Sequence, residues 1–313
     1  MTASKTQKRI LVIRLGALGN IIQSVGPFAA IRDHHADARI TLLTLAPFAD
    51  WMRTAPYFNE IWIDERPAWW NLAGLLRLRR RLISGGFDRV YDLQTSGRSS
   101  RYFRLFPRAK RPEWSGIGPG CSHPDTAPDR NRTHDLLRQA DQLRQAGIAR
   151  TPPADLSWCT GDIARFNLPQ AFALLVPGSS PTRPMKRWPI ASYAEIATEL
   201  LRRGITPVVV GAGSERELGL QLAEAVPGVR DITGQTSLGD VADLARAAVG
   251  AIGNDTGPSH LIAAANCRTV VIFSHDSDPA LCSPGGNDVR VVRHADLAAL
   301  PPAEVLAALD RPA

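Results

Sequence analysis

Polar residues that could hold a phosphate follow one apolar stretch in the second half of the chain. The sequence there is GAIGNDTGPSHLIAAAN, in which a strand-like run ends, residues 254–257 follow, and a helix is predicted from Pro258. A proline in the first helical turn suits a helix N-terminus, whose free amides and positive dipole bind phosphate oxygens. Asp255 and Thr256 could instead cap this helix, and His260 could pack in the core. Both interpretations are open.

A second polar loop follows another apolar run. Its sequence is LLVPGSSPTRPMKRWP, which places the hydroxyls of Ser179 and Ser180 directly after the predicted strand and Lys186 further along. A lysine opposite a diphosphate stabilises the negative charge that develops on a departing nucleotide. The alternative is a surface lysine near Trp188, which would anchor the loop. Together the two loops predict a site for a phosphate-bearing ligand.

The first strand-like segment also runs into a turn that contains glycine. Residues 8–24 read KRILVIRLGALGNIIQS, which is typical of a phosphate-cradling nucleotide site, although the absence of G-x-G-x-x-G disfavours a dinucleotide cofactor. Asn20 stands at the tip of this turn, where an enzyme of this layout is expected to need a carboxylate. An amide can orient a substrate, but it cannot take up a proton near neutral pH.

The elements that must position these residues alternate between strand and helix patterns. Strands are predicted at 9–15, 39–45, 59–64, 88–94, 172–178, 206–212, 249–255 and 268–274. Helices are predicted at 21–35, 72–86, 133–148, 190–204, 214–226, 237–248 and 258–266. The proline- and glycine-rich residues 107–128 are interpreted as a long functional loop.

This alternation predicts an α/β protein of two doubly wound, Rossmann-like domains with parallel sheets, at residues 1–160 and 161–313. The last helix is a candidate to pack back on the first domain. Ligands bind at the carboxyl ends of parallel strands, and two such domains that face each other leave a cleft between them. The chemistry is therefore expected in an interdomain cleft.

The net charge of +7 is unevenly distributed. Residues 1–160 contain 24 Lys and Arg against 14 Asp and Glu, whereas residues 161–313 contain 13 against 16. The basic half indicates an acidic partner, which could be an anionic membrane surface or a phosphorylated acceptor, unless it is only a solvated face. Nucleic acid is disfavoured, because no zinc finger, aromatic RNA-binding motif or helix-turn-helix is visible.

The cysteine pattern and the hydropathy favour a cytoplasmic protein. The four cysteines lack a CxxC pair, which favours reduced thiols over a zinc site or a disulfide framework. The N-terminal residues from Thr2 to Arg9 are polar and lack the apolar core of a signal peptide. No segment approaches the roughly 20 apolar residues of a membrane span.

These motifs resemble the ADP-heptose:lipopolysaccharide heptosyltransferases, glycosyltransferase family nine, in which a DTGxSH loop and a K-x-W-P loop hold the ADP-sugar. The resemblance extends to ILVIRLGALGN, to DLQTSGRSSRYF and to the GxxxE that follows VVVGA, and so spans nearly the whole chain. It implies a GT-B-type fold and an inverting transfer of heptose, or a related sugar, from an ADP-sugar to an anionic lipopolysaccharide-type glycolipid. It also implies peripheral contact with the inner face of the plasma membrane.

The resemblance implies neither a cofactor nor a metal. The DSD sequence at residues 276–278 resembles the metal-binding DxD of the other large glycosyltransferase fold. In a two-domain enzyme of the implied type, amides, hydroxyls and a lysine replace the charge of the metal, so metal ligation by these carboxylates is disfavoured.

The resemblance also assigns candidate site residues. The donor-binding candidates are Ser179, Ser180, Lys186, Glu215, Thr236, Asp255, Thr256, Gly257 and His260. Lys186 would face the phosphates, Glu215 would meet the ribose, and Thr236 would lie near the adenine. The spacing from Ser179 and Ser180 to Lys186 is two residues longer than the family pattern. On the acceptor side, Arg98 and Arg101 could grip phosphate or carboxylate, or could be surface charges.

The chain departs from the family pattern at Asn20. Family members read LGALGD, and their aspartate deprotonates the acceptor hydroxyl, whereas Asn20 and Lys186 stand at the implied catalytic positions here. Three explanations are open: another base, an engineered substitution that traps substrates, or a nucleotide-sugar or glycan-binding protein that has lost turnover. Candidate substitute bases are Asp92, His134 and Asp135. A different nucleotide-sugar enzyme, such as an epimerase, or an oxidoreductase is a further alternative.

Overall fold

A computed structural model describes residues 7–180 and 182–311. The chain divides into two compact units, one that extends to Pro153 and one that begins at Ala154. The division falls a few residues before the predicted boundary after residue 160. Most of the polar N-terminal segment on which the signal-peptide prediction rests lies outside the described residues.

The first unit is built on a six-stranded parallel sheet in the order β3-β2-β1-β4-β5-β6. Its strands are β1 (Arg9–Ile13), β2 (Arg39–Thr44), β3 (Glu60–Ile63), β4 (Arg89–Asp92), β5 (Glu113–Gly116) and β6 (His123–Pro124). Its helices are α1 (Leu18–Ile22), α2 (Val25–His34), α3 (Ala46–Thr54), α4 (Leu72–Ser84), α5 (Gly97–Tyr102) and α6 (Asp135–Gln145).

The second unit repeats this plan with the strand order β12-β11-β10-β7-β8-β9, again parallel throughout. Its strands are β7 (Phe172–Val176), β8 (Thr206–Val209), β9 (Arg230–Asp231), β10 (Gly250–Asn254), β11 (Thr269–Phe273) and β12 (Val289–Arg293). Its helices are α7 (Ile190–Arg202), α8 (Arg216–Ala225), α9 (Leu238–Ala247), α10 (Gly257–Ala264), α11 (Pro279–Cys282) and α12 (Pro302–Asp310). Two doubly wound sheets confirm the predicted α/β class.

Buried apolar runs explain why the central strands form. In β1, residues 10–13 are fully buried, and every residue of β7 and β11 is buried. A parallel strand is covered by helices on both faces, so its sequence is continuously apolar rather than alternating. The helices are covered on one side only. In α4, Gly74, Leu78 and Leu82 are buried at four-residue spacing and form one face.

Both sheets reverse their winding direction at a switch point, which lies between β1 and β4 in the first unit and between β7 and β10 in the second. The connections that leave the two inner strands at such a point diverge to opposite sides and open a crevice at the carboxyl edge. The loops after these four strands carry Asn20, the two arginines of α5, the residues from Ser179 to Lys186 and the residues from Asp255 to His260. Glu215, Thr236, His134, Asp135 and the DSD residues follow other strands. The fold therefore collects most of the candidate residues at two crevices.

The predicted single helix at 21–35 is wrong, because the structure contains two helices with a break at residues 23–24. Pro27 has no N–H to donate to the carbonyl of Gln23, so a helix can begin at Val25 but cannot run through from α1. At the break, the Ser24 hydroxyl donates to the Asn20 carbonyl at 2.9 Å.

The interpretation of residues 107–128 as a loop without strands is also wrong. This stretch contains β5 and β6, which extend the first sheet in parallel register, Ser115 beside His123. Trp114 of β5 is fully buried and packs edge-on against Phe103, with ring centroids 5.4 Å apart. Strands of four and two residues are too short to produce a recognisable period in the sequence.

The last helix, α12, packs on the sheet of its own unit. Val305, Ala308 and Leu309 belong to the second core, which also contains Trp188 and Tyr193. Throughout residues 7–180 and 182–311, no helix is both long enough and apolar enough to cross a membrane.

Candidate functional site

A buried asparagine joins the two loops at the second switch point. Asn254, the last residue of β10, donates through Nδ2 to the carbonyls of Pro177 at 2.8 Å and Gly178 at 3.2 Å. Its Oδ1 accepts from the backbone N–H of Trp188 at 3.1 Å. These bonds fix both ends of the loop that carries Lys186 beside the end of β10. Sequence reasoning missed Asn254, although a lone polar residue at the end of an apolar strand was a usable signal.

The next residue, Asp255, is the centre of a compact polar cluster. Its carboxylate accepts from Lys186 Nζ at 2.5 Å and from Ser277 Oγ at 2.7 Å, and its other oxygen lies 3.6 Å from Nε2 of His260. Both partners of the ion pair are buried, with 9% of Lys186 and 7% of Asp255 exposed. The two loops that were quoted first in the sequence therefore meet in one charged pair. Ser277, which completes the cluster, was not predicted.

The electrostatic balance keeps Asp255 ionised. Burial alone would raise the pKa of this carboxyl, but hydrogen bonds from His260, Lys186 and Ser277, together with the charge of Lys186, lower the pKa to about 2. Asp255 is thus a carboxylate at any physiological pH. It can hold Lys186 in place or accept a hydrogen bond from a sugar hydroxyl, and its lowered pKa makes it a weak base.

Helix α10 begins directly beside this pair. Thr256 occupies its N-cap position in extended conformation, but its side chain makes no capping hydrogen bond. The capping alternative for Thr256 is therefore not realised, and the first amides of Gly257 and its neighbours lack that partner. His260 is 6% exposed, and its Nδ1 has no hydrogen-bond partner among the described residues. An ammonium group and a helix N-terminus side by side can bind phosphate oxygens.

Glu215 lies against the same edge of the sheet. Its Oε2 accepts from the backbone N–H of Ala212 at 2.8 Å, which closes the turn after β8. A Cβ added to Gly178 would lie 1.7 Å from Oε1 of Glu215, so glycine is required there for the carboxylate to approach the end of β7. Glu215 is therefore held by the turn after β8 and lies close to the start of the loop that carries Lys186.

The other candidate donor-binding residues make hydrogen bonds outside the cluster around Asp255 or lie in other loops. Ser179 is buried, and its hydroxyl accepts from Arg187 Nε at 3.1 Å and donates to the Arg183 carbonyl at 3.3 Å. Ser180 is exposed and exchanges a 2.9 Å hydrogen bond with Thr182. Thr236 is half-buried and precedes the residue that caps α9. The phosphate and adenine contacts assigned to these three residues stay predictions.

The turn that carries Asn20 follows β1 at the first switch point. Asn20 is exposed on α1, and its Nδ2 donates to the Gly16 carbonyl at 3.3 Å. Its backbone carbonyl accepts from Nε of the buried Arg14 at 3.0 Å. Gly16 has a φ of 121°, and a Cβ there would lie 2.6 Å from Phe48. The backbone of the turn is therefore held in place, while Asn20 itself is exposed.

Asp92 is the candidate base with the most perturbed acidity. It ends β4 in the fully buried interior and accepts from the Thr95 N–H at 3.0 Å and from Ser100 Oγ at 3.3 Å. Burial raises its pKa to about 6, against opposing hydrogen bonds from Ser99, Thr95 and Ser100. No oxygen of this carboxyl is open to an acceptor in solution, because the residue has no exposed surface.

The other two candidate bases are already engaged. Asp135 is buried, pairs with Arg14 at 2.7 Å and contacts Arg138. His134 caps α6, where its Nδ1 accepts from the Leu136 N–H at 3.3 Å. The structure therefore brings none of the three candidates to the surface beside Asn20 as a free proton acceptor.

The two acceptor-side arginines on α5 both pack on Trp69. The guanidinium carbons of Arg98 and Arg101 lie 5.0 and 5.1 Å from the centre of its ring. Arg98 also donates to the Pro67 carbonyl at 3.1 Å. These contacts give the arginines a structural role, and anion binding by them stays a prediction.

The DSD residues have structural roles as well. Asp278 caps α11 by accepting from the Ala280 N–H at 3.1 Å, and Asp276 lies 3.2 Å from His275. Within the described ranges, no group of three or more His, Cys, Asp or Glu side chains could hold a metal ion. Over the part of the chain that the structure describes, none of the four cysteines forms a disulfide.

Two doubly wound α/β units, each with a six-stranded parallel sheet and one switch point, define the class of two-domain, Rossmann-like α/β proteins. The family model described as glycosyltransferase family 9 (heptosyltransferase) matches residues 75–307, and the chain belongs to this family. The family resemblance drawn from the motifs is thereby confirmed.

Curated relatives match over part of their length. Lipopolysaccharide heptosyltransferase 2 of Escherichia coli K12 is 32% identical over 115 residues, which are 35% of this chain and 33% of that protein. Lipooligosaccharide heptosyltransferase 2 of Haemophilus influenzae is 27% identical over 115 residues, again 33% of that protein. The matched segment thus spans about a third of these relatives.

Solved structures show the same fold over nearly the whole chain. E. coli ADP-heptose lps heptosyltransferase II has a TM-score of 0.77 at 24% identity and covers 96% of this chain and 98% of that one. The family 9 glycosyl transferase from Veillonella parvula has a TM-score of 0.81 at 20% identity, with 96% and 95% covered. UDP-GlcNAc 2-epimerase from Methanocaldococcus jannaschii has a TM-score of 0.61 at 11% identity, with 97% and 92% covered, so the fold alone does not separate these activities.

Proposed function

We propose that this protein transfers heptose, or a related sugar, from an ADP-sugar to an anionic lipopolysaccharide-type glycan, with inversion and without a metal ion. The observation that carries the proposal is the buried Lys186–Asp255 pair beside the N-terminus of α10. Membership of the heptosyltransferase family supports it. So do proteins of the same fold, which include an E. coli heptosyltransferase WaaC solved with ADP.

The second unit supplies the donor site. The Lys186 ammonium and the amides of α10 neutralise the diphosphate, and Glu215 accepts from the ribose hydroxyls. As the bond between the anomeric carbon and the phosphate oxygen breaks, negative charge grows on the departing ADP, and Lys186 stabilises it. Asp255 holds Lys186 in position and remains ionised throughout.

The first unit supplies the acceptor site. The acceptor hydroxyl attacks the anomeric carbon from the face opposite to ADP, which inverts the configuration, while the bond from that carbon to the phosphate oxygen breaks. The hydroxyl proton passes to solvent water, which reaches the exposed Asn20. Asn20 orients that hydroxyl through its exposed amide, and the basic surface of this unit, with Arg98 and Arg101, attracts the anionic glycan. Because the acceptor is a glycolipid, the protein works in peripheral contact with the inner membrane surface, on the cytoplasmic side.

A second candidate function is that of a nucleotide-sugar or glycan-binding protein with little turnover. The observation that favours it is Asn20, an amide where the family motif implied a base, with no free substitute beside it. General-base catalysis contributes roughly 10²–10⁴-fold to rate, so its loss would leave binding intact and transfer slow.

A transfer assay decides between these functions. ADP-heptose is incubated with deacylated lipopolysaccharide that lacks its terminal heptoses, and release of ADP and the mass of the glycan are followed. Transfer that disappears in Lys186→Ala but persists in the exposed-surface control Lys110→Ala supports the enzyme. ADP binding without any sugar transfer, even at high protein concentration, identifies the binding protein.

A further inference from the structure

Helix α4 and the residues before it present an exposed apolar surface on the first unit. Of the large apolar side chains, Trp70 is 85% exposed, Leu72 70% and Leu76 50%. These three residues, together with the three arginines described next, are called the α4 face. Neighbouring exposed apolar side chains on a globular protein mark a surface that contacts a partner. This surface belongs to the first unit and includes none of the residues of the proposed donor site.

The apolar residues of the α4 face are bordered by positive charge. Leu72, Leu76 and Arg80 follow each other at four-residue spacing, and Arg79 lies beside Leu72 on the same face. Arg77 borders the other side of this stripe, next to Arg80. All three arginines are exposed, and no carboxylate among the described residues forms an ion pair with them. Arg81, which is also exposed, instead stacks over Trp62, with its guanidinium carbon 4.6 Å from the ring centre. The face therefore combines tryptophan and leucine with unneutralised arginines.

The structure holds this face in place. Trp69, the neighbour of Trp70, is covered by Arg98 and Arg101 of α5. Asn71 caps α4 by accepting from the Gly74 N–H at 2.9 Å, and a Cβ on Gly74 would lie 2.8 Å from Pro67. These contacts fix the N-terminus of α4, and with it the positions of Trp70 and Leu72. Because this segment is already ordered, it loses little conformational entropy when it binds a partner.

We propose that the α4 face docks the protein on an anionic lipid bilayer, with Trp70, Leu72 and Leu76 inserted at the headgroup level and Arg77, Arg79 and Arg80 against lipid phosphates. Interfacial helices combine these features: aromatic and leucine residues enter the boundary region while basic residues bind the negative surface. The three unpaired arginines favour an anionic bilayer over an uncharged apolar partner, because their positive charge would have no counter-charge against the latter. The inference rests on the membrane association proposed above, but not on sugar transfer.

Vesicle sedimentation tests the proposal with the full chain. Wild type is expected to bind vesicles of phosphatidylglycerol and phosphatidylcholine and to bind phosphatidylcholine alone much more weakly. Arg77→Gln/Arg79→Gln/Arg80→Gln should lose roughly 100-fold in affinity, since each basic residue near an anionic surface contributes about fivefold. Trp70→Ser/Leu72→Ser/Leu76→Ser should lose roughly tenfold or more.

Matched variants control for net charge and for apolar content. Arg53, Arg144 and Arg202 are also exposed but pair with neighbouring carboxylates, so the triple change of these residues to Gln removes the same charge elsewhere. Leu137→Ser/Leu220→Ser removes exposed leucines outside the face. Both control variants should bind vesicles nearly as well as wild type. Quenching of tryptophan fluorescence by brominated lipid should be reduced in Trp70→Phe.

Three results would overturn the proposal. One is equal loss of vesicle binding in the face and control variants, which would assign binding to net charge. Another is unchanged binding in both face variants. The third is a shift from dimer to monomer in the apolar-face variant by sedimentation velocity, which would make a second copy the occupant. Calorimetry with ADP on the same variants distinguishes membrane docking from the donor site. A face variant that binds ADP as well as wild type but no longer binds vesicles has lost only the docking surface.

Discussion

Asp255 shows how one residue can be held ionised by its neighbours inside the protein. Its pKa in the folded state is about 2, below the ordinary 3.8, because hydrogen bonds from His260, Lys186 and Ser277 outweigh the effect of burial. A group with a depressed folded pKa adds stability above its unfolded pKa and loses that contribution as pH falls through the folded value. The stabilisation by Asp255 is therefore complete above about pH 4 and disappears towards pH 2.

We expect this carboxylate to contribute about 2 kcal/mol to the pH dependence of unfolding between pH 4 and pH 2. Asp255→Asn should remove that part of the slope, and it should also destabilise the protein at neutral pH, because Lys186 is left buried without its partner. Denaturant unfolding across the acid range measures both effects. The exposed Asp33→Asn variant is the control. A slope that is unchanged in Asp255→Asn contradicts the assignment.

Asn20 gives the second prediction. Asp92 is fully buried, Asp135 is paired with Arg14, and His134 is used as a cap, so Asn20→Asp should supply the missing base. Turnover should rise by roughly 10²–10⁴-fold with little change in ADP affinity. The measurement is sugar transfer by both forms across pH 5 to 9.

Two outcomes would contradict the missing-base account. One is equal rates and identical pH profiles for the two forms. The other is substantial wild-type turnover that falls below about pH 6 and is abolished in Asp92→Asn, which would make Asp92 the proton acceptor in spite of its burial.

At the scale of elements, the proposed donor site depends on how closely the loops after β7 and β8 approach each other. Gly178→Ala would place a Cβ within 1.7 Å of Glu215 Oε1 and force the carboxylate away. We expect a loss of about 1–3 kcal/mol in stability, typical of overpacking, together with weaker ADP binding. Thermal and denaturant unfolding measure the first effect, and calorimetry measures the second.

A double variant separates steric displacement from general damage. If Glu215 is the group that Gly178→Ala displaces, the further change Glu215→Ala should restore most of the stability but not the ADP affinity. Equal destabilisation of Gly178→Ala with and without Glu215 would mean that the two loops do not meet in this way.

The elements also show where sequence reasoning reached its limit. Long apolar strands such as β1 and β7 were predictable, because burial on both faces imposes an apolar run. The short strands β5 and β6 were not predictable, because pairing with neighbouring strands, rather than their own pattern, makes them strands. In the site, Lys186 and Asp255 stood out as polar residues after strands, but Ser277 joins them only through the path of the loop after β11.

On the scale of the whole molecule, the two units share one strand order but differ in charge. The basic half of the chain carries 24 Lys and Arg against 14 Asp and Glu, whereas the other half carries 13 against 16. Composition predicted this asymmetry and an anionic partner. It could not predict that Arg98 and Arg101 pack on a tryptophan while Arg77, Arg79 and Arg80 remain unpaired, because that depends on which face of each helix is covered.

The central claim is that the second unit holds an ADP-sugar through Lys186 and Asp255. Titration calorimetry with ADP tests it most directly, with wild type, Lys186→Ala and the control Lys110→Ala compared at one ionic strength. The account predicts saturable one-to-one binding to wild type and the control, and at least a tenfold weaker affinity in Lys186→Ala, because a charge-assisted contact to the diphosphate is lost. No binding of ADP to wild type, or equal affinity in all three proteins, would contradict it.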